Sequence, residues 1–223
     1  MEKISISKKV SLKEKLLLII FFNAILFILE TIGFFLSIKA FKWGAFIYYT
    51  NLSNYFALIS SLIVCIEAII CLKRKTPIPL FCYSLKFAVN VCLCITFLVC
   101  FCLLIPLKPD ILEFMVSKDA NLLYHIICPI LSILGFFLIE KSEKINRRII
   151  FISSLPTMIY GITLSILNLT KLVIGPYPFF IYRSYPLTFC LPCVFGIYFL
   201  SLFLSLLFFA LRKLQIKKLT KKA

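Results

Sequence analysis

The chain has 223 residues, 62% of them hydrophobic, with a mean hydropathy of +1.05 and a formal net charge of +16. A soluble domain is only roughly half apolar, so this composition excludes one and predicts an integral membrane protein. The charge predicts no nucleic-acid partner, because the basic residues are grouped between apolar runs and are not spread over a folded surface. Such groups set membrane topology and attract anionic membrane lipids.

Six continuous apolar runs follow one another along the chain, each long enough to cross about 30 Å of hydrocarbon as a helix. The runs do not alternate between apolar and polar residues, which argues against membrane strands. We therefore predict an all-α membrane protein, a six-transmembrane-helix bundle in which residues 1–223 form a single transmembrane domain. The predicted spans cover about 16–38, 50–72, 81–105, 121–139, 149–170 and 186–211.

Lysine and arginine cluster at alternate connections, which the positive-inside rule places in the cytoplasm. Basic groups precede the first span, follow the second and fourth, and form the tail, whereas the intervening loops hold few. Both the N and C termini are thus predicted to be cytoplasmic. The first run is too long for the apolar core of a signal peptide, so we expect it to be retained. Sparse Gly and Ala beside abundant Lys, Ile and Phe favour a bacterial plasma membrane.

Three charged side chains fall inside the predicted spans, where each needs a partner or a purpose. Glu67 lies near the cytoplasmic end of the second span and Lys86 near the start of the third, which predicts an ion pair between them. Glu30, in the first span, has no evident cation at its depth. Two interpretations stay open for Glu30: a hydrogen-bonded packing residue, or part of a site.

The second and fourth spans each place one reactive side chain on an inward face. Small and polar residues recur at helical spacing and mark the faces that pack inside the bundle, and Thr50 and His125 lie on these stripes. Both spans descend from the outer surface, so Thr50 and the only histidine of the chain share a depth. Pro129 removes the helical hydrogen bond to the carbonyl of residue 125 and is expected to bend the helix there.

A threonine hydroxyl needs a base to act as a nucleophile at neutral pH, and a neutral imidazole is the usual one. Thr50 and His125 are therefore the predicted catalytic pair for acyl transfer. Asn51, Ser53 and Asn54 are candidate substrate-binding or oxyanion donors, and either Glu30 or a backbone carbonyl is expected to orient the imidazole. The alternative is that Thr50 only caps its helix and that His125 is a solvated interfacial residue.

The ten cysteines predict neither a metal site nor a cofactor. Most lie inside spans, where free cysteine usually packs as a small hydrophobe, and their spacings do not match a zinc site. Cys190 and Cys193 form a C-x-x-C pair with Pro192 between them, in "FCLPCVF". A proline kink explains that pair without redox chemistry.

Three stretches of the sequence resemble the androgen-induced-protein family of six-span membrane proteins and its bacterial relatives. They are "FIYYTNLSNYFAL" at 46–58, "LLYHIICPILSILGFFLIE" at 122–140 and "IGPYPFF" at 174–180. Animal members are threonine hydrolases that cleave fatty acid esters of hydroxy fatty acids with a membrane-embedded Thr and His. The resemblance implies that Thr50 and His125 are the corresponding pair here, in a lipid-ester hydrolase that needs no cofactor.

The function expected from the sequence is thus hydrolysis of a lipid ester that reaches Thr50 from the bilayer. The expected partners are membrane lipids and the lipid-ester substrate. The rival is a non-enzymatic membrane protein of the same fold, a small transporter or a scaffold, that uses Glu30 and the polar stripes to hold or pass a solute. Transport is less favoured because the sequence holds no inverted repeat.

Overall fold

The computed structural model describes residues 11–117, 120–140 and 145–220, and within these ranges every regular element is a helix. The predicted all-helical class is confirmed. We number seven helices in chain order: α1 Leu12–Phe41, α2 Tyr49–Arg74, α3 Leu80–Leu107, α4 Leu112–Ser117, α5 Leu123–Leu138, α6 Arg148–Leu169 and α7 Leu187–Thr220. A short 3₁₀ helix, Lys42–Ile47, connects α1 to α2.

Among the described residues, five helices are long and apolar enough to cross a membrane: α1, α2, α3, α6 and α7. This agrees with a multi-pass helical membrane protein. The run predicted at 121–139 forms α5, which is apolar but shorter than the other five. The outward faces carry large apolar side chains such as Phe35, Phe151 and Phe199, each about two-thirds exposed. Such faces are expected for helices that contact lipid.

Helix α3 is the centre of the bundle, because it packs against α2, α5, α6 and α7, while α1 lies along α2 and also touches α5. Polar side chains join the helices at these contacts: Ser53 to Thr96, Tyr49 to Thr157 and Ser153 to Ser205. Membrane helices associate through such hydrogen bonds and close packing, since burial of apolar surface gives little advantage in lipid. The first two of these bonds join α2 to α3 and α6, and α3 also packs on α5, so α3 sets the relative positions of α2 and α5, which build the site below.

The buried ion pair differs from the predicted one. Lys86 lies 4.0 Å from Glu140 at the end of α5, and both side chains are buried. Asn23 of α1 donates a hydrogen bond of 2.6 Å to the same carboxylate oxygen. Glu67 is only half-buried on α2, and the prediction of a Glu67–Lys86 pair was wrong. Glu140 lies one residue beyond the predicted end of the fourth span, so the prediction did not count it among the buried charges.

Two prolines explain the irregular turns of the bundle. Pro106 follows a π-helical turn at Cys100–Leu104, and Pro129 follows another at Leu123–Ile127. In each turn the closing bond spans five residues, from Ile105 N–H to the Cys100 carbonyl and from Cys128 N–H to the Leu123 carbonyl. A proline offers no N–H to the carbonyl four residues before it, so the helix widens there. The predicted distortion after His125 is thus present, as a widened turn.

Candidate functional site

Thr50 is the second residue of α2, and the residue at the N-cap position is Tyr48, whose side chain makes no capping bond. Thr50 therefore lies inside the first turn of the helix and is not the capping residue that the alternative interpretation required. Its hydroxyl faces α5. The backbone N–H groups of the first turn have no partner within the helix, as at any helix start.

His125 sits in the π-helical turn that opens α5, and its side chain is 3% exposed. Its Nε2 atom lies 3.4 Å from the Thr50 hydroxyl oxygen. The solvated interfacial histidine of the alternative interpretation is not what the structure contains. The two residues predicted to act together are in hydrogen-bond range, at the long end that is usual before substrate arrives.

The backbone carbonyl of Met115 determines which nitrogen of His125 carries the proton. His125 Nδ1 lies 2.9 Å from the Met115 oxygen. A carbonyl oxygen only accepts, so Nδ1 donates, and in the neutral imidazole Nε2 is left as the acceptor facing Thr50. Met115 belongs to α4, the short helix Leu112–Ser117. The sequence left Glu30 and a backbone carbonyl as alternatives for this role, and the carbonyl occupies the position.

Glu30 lies deeper in the bundle than the pair, beside Cys128 and Tyr124. Its side chain is fully buried, and the Cys128 thiol lies within hydrogen-bonding reach of its carboxyl group. His125 Nδ1 is bound to the Met115 carbonyl and not to Glu30. The structure thus leaves Glu30 outside the immediate surroundings of Thr50.

The three polar residues after Thr50 are largely engaged in holding the helices. Asn51 donates to the Ala45 carbonyl at 2.9 Å, which ties α2 to the preceding 3₁₀ helix. Ser53 is bonded to the Thr50 carbonyl and to Thr96. Asn54 donates to the carbonyls of Thr50 and Tyr124. Of the three, Asn51 alone lines the cavity in front of the pair.

Tyr177 is the polar side chain that the sequence prediction missed. Its phenol lies at the start of α2, in reach of the Thr50 hydroxyl and of the backbone N–H groups of Tyr49 and Thr50. Burial raises the pKa of Tyr177 to about 12, and the contacts with Thr50 lower it by less. The phenol therefore keeps its proton at neutral pH and is available as a donor. The quoted stretch "IGPYPFF" contains this tyrosine, but its spacing gives no sign that the loop folds back onto α2.

A cavity of about 490 Å³ opens in front of the pair. Thr50, Asn51, His125 and Tyr177 form its polar floor, and mainly apolar and aromatic side chains form the walls, among them Phe41, Leu104, Ile111, Phe114, Pro178 and Phe189. Lys108, Asn121 and the hydroxyl-bearing Tyr48 and Tyr185 also line the cavity. A mostly apolar cavity with a few convergent polar groups is typical of a small-molecule site.

A second opening faces sideways beside the site. An apolar groove of about 510 Å³ runs between α2 and α6, and Tyr49, the neighbour of Thr50, lies in its wall. Phe46 and Ile159 on its rim are exposed at 42% and 60%. The groove therefore connects the lipid-facing surface with the start of α2.

The cysteines are free thiols, including Cys190 and Cys193, and none of them lines the cavity in front of the Thr50–His125 pair. Cys190 is buried and its thiol points to the Tyr185 and Pro178 carbonyls. Within the described ranges, no three His, Cys, Asp or Glu residues are grouped as metal ligands.

Comparison of the chain with protein-family models, with curated proteins and with solved structures finds no match. The resemblance of the three quoted stretches to a hydrolase family accordingly remains an expectation. The functional assignment rests on the geometry of Thr50, His125 and their surroundings.

Proposed function

We propose that the chain is an integral membrane lipid-ester hydrolase that uses Thr50 as nucleophile and His125 as general base. The observation that carries the proposal is the arrangement around the imidazole, with Thr50 at 3.4 Å on Nε2 and the Met115 carbonyl at 2.9 Å on Nδ1. A nucleophile, a base and a group that orients the base form the pattern shared by hydrolases with an activated hydroxyl.

The first half of the reaction forms an acyl-enzyme. The Thr50 oxygen attacks the ester carbonyl carbon while its proton passes to His125 Nε2, giving a tetrahedral intermediate with a negative oxygen. The imidazolium then gives that proton to the departing alkoxide as the C–O bond breaks. The alcohol leaves, and the acyl group stays on Thr50 as an ester.

The second half releases the acid. Water loses a proton to the now neutral His125 Nε2 and attacks the acyl carbon, and the collapse of this second tetrahedral intermediate returns the proton to the Thr50 oxygen. The carboxylic acid leaves with free Thr50 regenerated. The Met115 carbonyl keeps the same imidazole tautomer ready for both halves and stabilises the imidazolium that forms between them.

Tyr177 and the start of α2 are the proposed site for the negative oxygen. The phenol keeps its proton, and the first-turn N–H groups of α2 lie beside it. Partial positive charge at a helix N-terminus and a fixed donor stabilise a developing oxyanion, since neither has to reorganise during the reaction. Asn51 lines the same cavity and keeps its predicted role as a substrate contact.

We further propose six membrane spans, with α5 as the fourth, and with the start of α1 and the end of α7 in the cytoplasm of a bacterial cell. The site then lies in the outer half of the plasma membrane. A lipid ester, similar to the fatty acid esters of hydroxy fatty acids that the resembling family cleaves, would reach it from the bilayer. The apolar walls of the cavity and the groove between α2 and α6 support such a route.

The test is labelling and turnover of the detergent-purified full chain. A fluorophosphonate probe that reacts with activated hydroxyls should label the wild type, and hydrolysis of p-nitrophenyl acyl esters and of fatty acid esters of hydroxy fatty acids should accompany the labelling. Thr31→Ala is the matched control, because Thr31 bonds only to its own helix at the Phe27 carbonyl. Equal labelling of Thr50→Ala and Thr31→Ala would refute the proposal.

A further inference from the structure

The end of the bundle away from Thr50 contains a separate polar cavity. It measures about 210 Å³ and lies where the starts of α3 and α6 meet the ends of α5 and α7. Its polar lining includes Tyr83, Glu140, Asn146, Arg148 and Arg212. None of these residues borders the cavity at Thr50, so the two cavities are distinct.

Arg212 is buried in this cavity near Glu140 but beyond ion-pair distance from its carboxylate. It is 2% exposed, donates to the Phe136 carbonyl at 2.8 Å and to the Gln215 side-chain oxygen at 3.0 Å, and stacks on the Phe136 ring at 4.2 Å. All three contacts are with neutral groups. In the described part of the chain, no acidic side chain lies within ion-pair distance of the guanidinium.

The charges around the cavity do not balance. Glu140 is the buried carboxylate here, and one of its oxygens is already shared between Asn23 at 2.6 Å and Lys86 at 4.0 Å. Among the charged residues that line the cavity, Glu140 is the one carboxylate and is already paired with Lys86, whereas buried Arg212 and exposed Arg148 bring two positive charges. A buried cation without a counter-charge is costly, so an anion in the cavity would stabilise the arrangement.

The surroundings of the cavity indicate what kind of molecule carries the anion. Leu80 and Ile152 belong to its lining and are also exposed on the outer surface, at 48% and 52%. The polar interior therefore continues directly onto the apolar faces of α3 and α6. A phosphate with attached acyl chains matches both parts, because the phosphate meets the arginines while the chains lie along the helices. Basic pockets between membrane helices recognise lipid head groups in this way.

We propose that this cavity binds the phosphate group of an anionic phospholipid through Arg212 and Arg148. Arginine suits this task because its planar array of donors matches the oxygens of a phosphate. Glu140, which is held by Lys86 and Asn23, belongs to the lining of the cavity and limits its net positive charge, so that one phosphate suffices. The site does not depend on hydrolysis at Thr50.

The test uses the full chain in a neutral maltoside detergent, with thermal unfolding followed as phosphatidylglycerol, phosphatidylcholine or inorganic phosphate is titrated. Phosphatidylglycerol should raise the Tm of the wild type in a saturable manner, whereas phosphatidylcholine should have a much smaller effect. Arg148→Gln removes one charge-assisted contact and should weaken the apparent affinity for phosphatidylglycerol about fivefold to tenfold. Its side chain is exposed, so the variant should fold.

Arg147→Gln is the matched control, since Arg147 is an equally charged, exposed neighbour that does not line the cavity. It should bind phosphatidylglycerol as the wild type does. Equal affinity of the two variants would overturn the proposal and leave only a general attraction of the basic segments to anionic lipid. If inorganic phosphate stabilised the wild type as well as phosphatidylglycerol did at equal phosphate concentration, the lipid would be the wrong ligand.

Discussion

Asn54 ties the backbone of α2 to the residue that precedes His125. Its side-chain amide donates one hydrogen bond of 2.7 Å to the Thr50 carbonyl and another of 3.3 Å to the Tyr124 carbonyl. One side chain thus holds the chain at Thr50 and the chain at His125 against each other. The distance between nucleophile and base is set by this bridge as well as by helix packing.

Removing the bridge should lower turnover without removing either reacting group. Asn54→Leu keeps the branched shape of the side chain and loses both hydrogen bonds, so we expect kcat to fall on the order of 10-fold to 100-fold through misplacement of the pair. Ser60→Ala is a suitable control, because Ser60 is a buried residue of the same helix that bonds only to Ala57. A kcat for Asn54→Leu that equals that of Ser60→Ala would show that packing alone positions the pair.

The pair itself should behave as a unit. Thr50→Ala and His125→Ala should each reduce kcat on the order of 10²-fold or more, and the double variant should be hardly worse than either single one. Thr50→Ser should retain part of the activity, because it preserves the hydroxyl that faces His125. Additive losses in the double variant, or undiminished turnover in folded His125→Ala, would contradict the mechanism.

Tyr177→Phe isolates the proposed oxyanion donor. The change removes one hydroxyl and leaves the ring that packs on Phe179. Loss of one such donor typically costs about 10²-fold in kcat, so we expect that drop with little change in KM and with the Tm nearly unchanged. Tyr182→Phe is the matched control, because the Tyr182 hydroxyl bonds to Ser165 outside the site. Equal kinetics for the two variants would remove Tyr177 from the mechanism.

Much of this arrangement could be predicted because helical periodicity and depth are local properties of a sequence. Spacing alone predicts that Thr50 and His125 lie on inward faces at one depth, and in the structure the Thr50 hydroxyl oxygen and His125 Nε2 are 3.4 Å apart. Pro129 predicts the irregular turn because proline has no backbone N–H to donate within the helix. These features depend on a few neighbouring residues.

The contacts that escaped prediction are those between distant segments. The Met115 carbonyl and the Tyr177 phenol come from connecting segments, whose return onto the bundle no periodicity describes. Lys86 meets Glu140 and not Glu67, because α3 packs on α5 as well as on α2 and Glu140 lies one residue beyond the predicted end of the fourth span. In each case the packing of the whole bundle determines which groups come into contact.

The proposed topology gives an experiment that does not require activity. A cysteine introduced in place of Asp110 or Pro178 should react with a membrane-impermeant maleimide added outside intact cells, and one in place of Arg147 should react only after lysis. Cys102 is exposed in the structure and should be replaced by alanine in the background. Labelling of the Asp110→Cys or Pro178→Cys variant from the cytoplasmic side alone would invert the topology and move the site to the inner half of the membrane.

Gly33 provides the last prediction, because it lets Tyr124 lie against α1 directly before His125. A Cβ atom at Gly33 would overlap the Tyr124 ring, which is fully buried and packed against Tyr55. The ring cannot swing outward, so Gly33→Ala must displace α1 from α5. Overpacking of this kind costs about 1–3 kcal/mol. The Tm should fall, and turnover should fall with it because the Tyr124 backbone precedes the base.

Gly196→Ala is the control for this prediction. A Cβ atom at Gly196 meets open space, so this variant should leave both the Tm and the turnover unchanged. If Gly33→Ala and Gly196→Ala unfolded at the same temperature with the same kcat, the close contact at Gly33 would have no part in holding His125 in place.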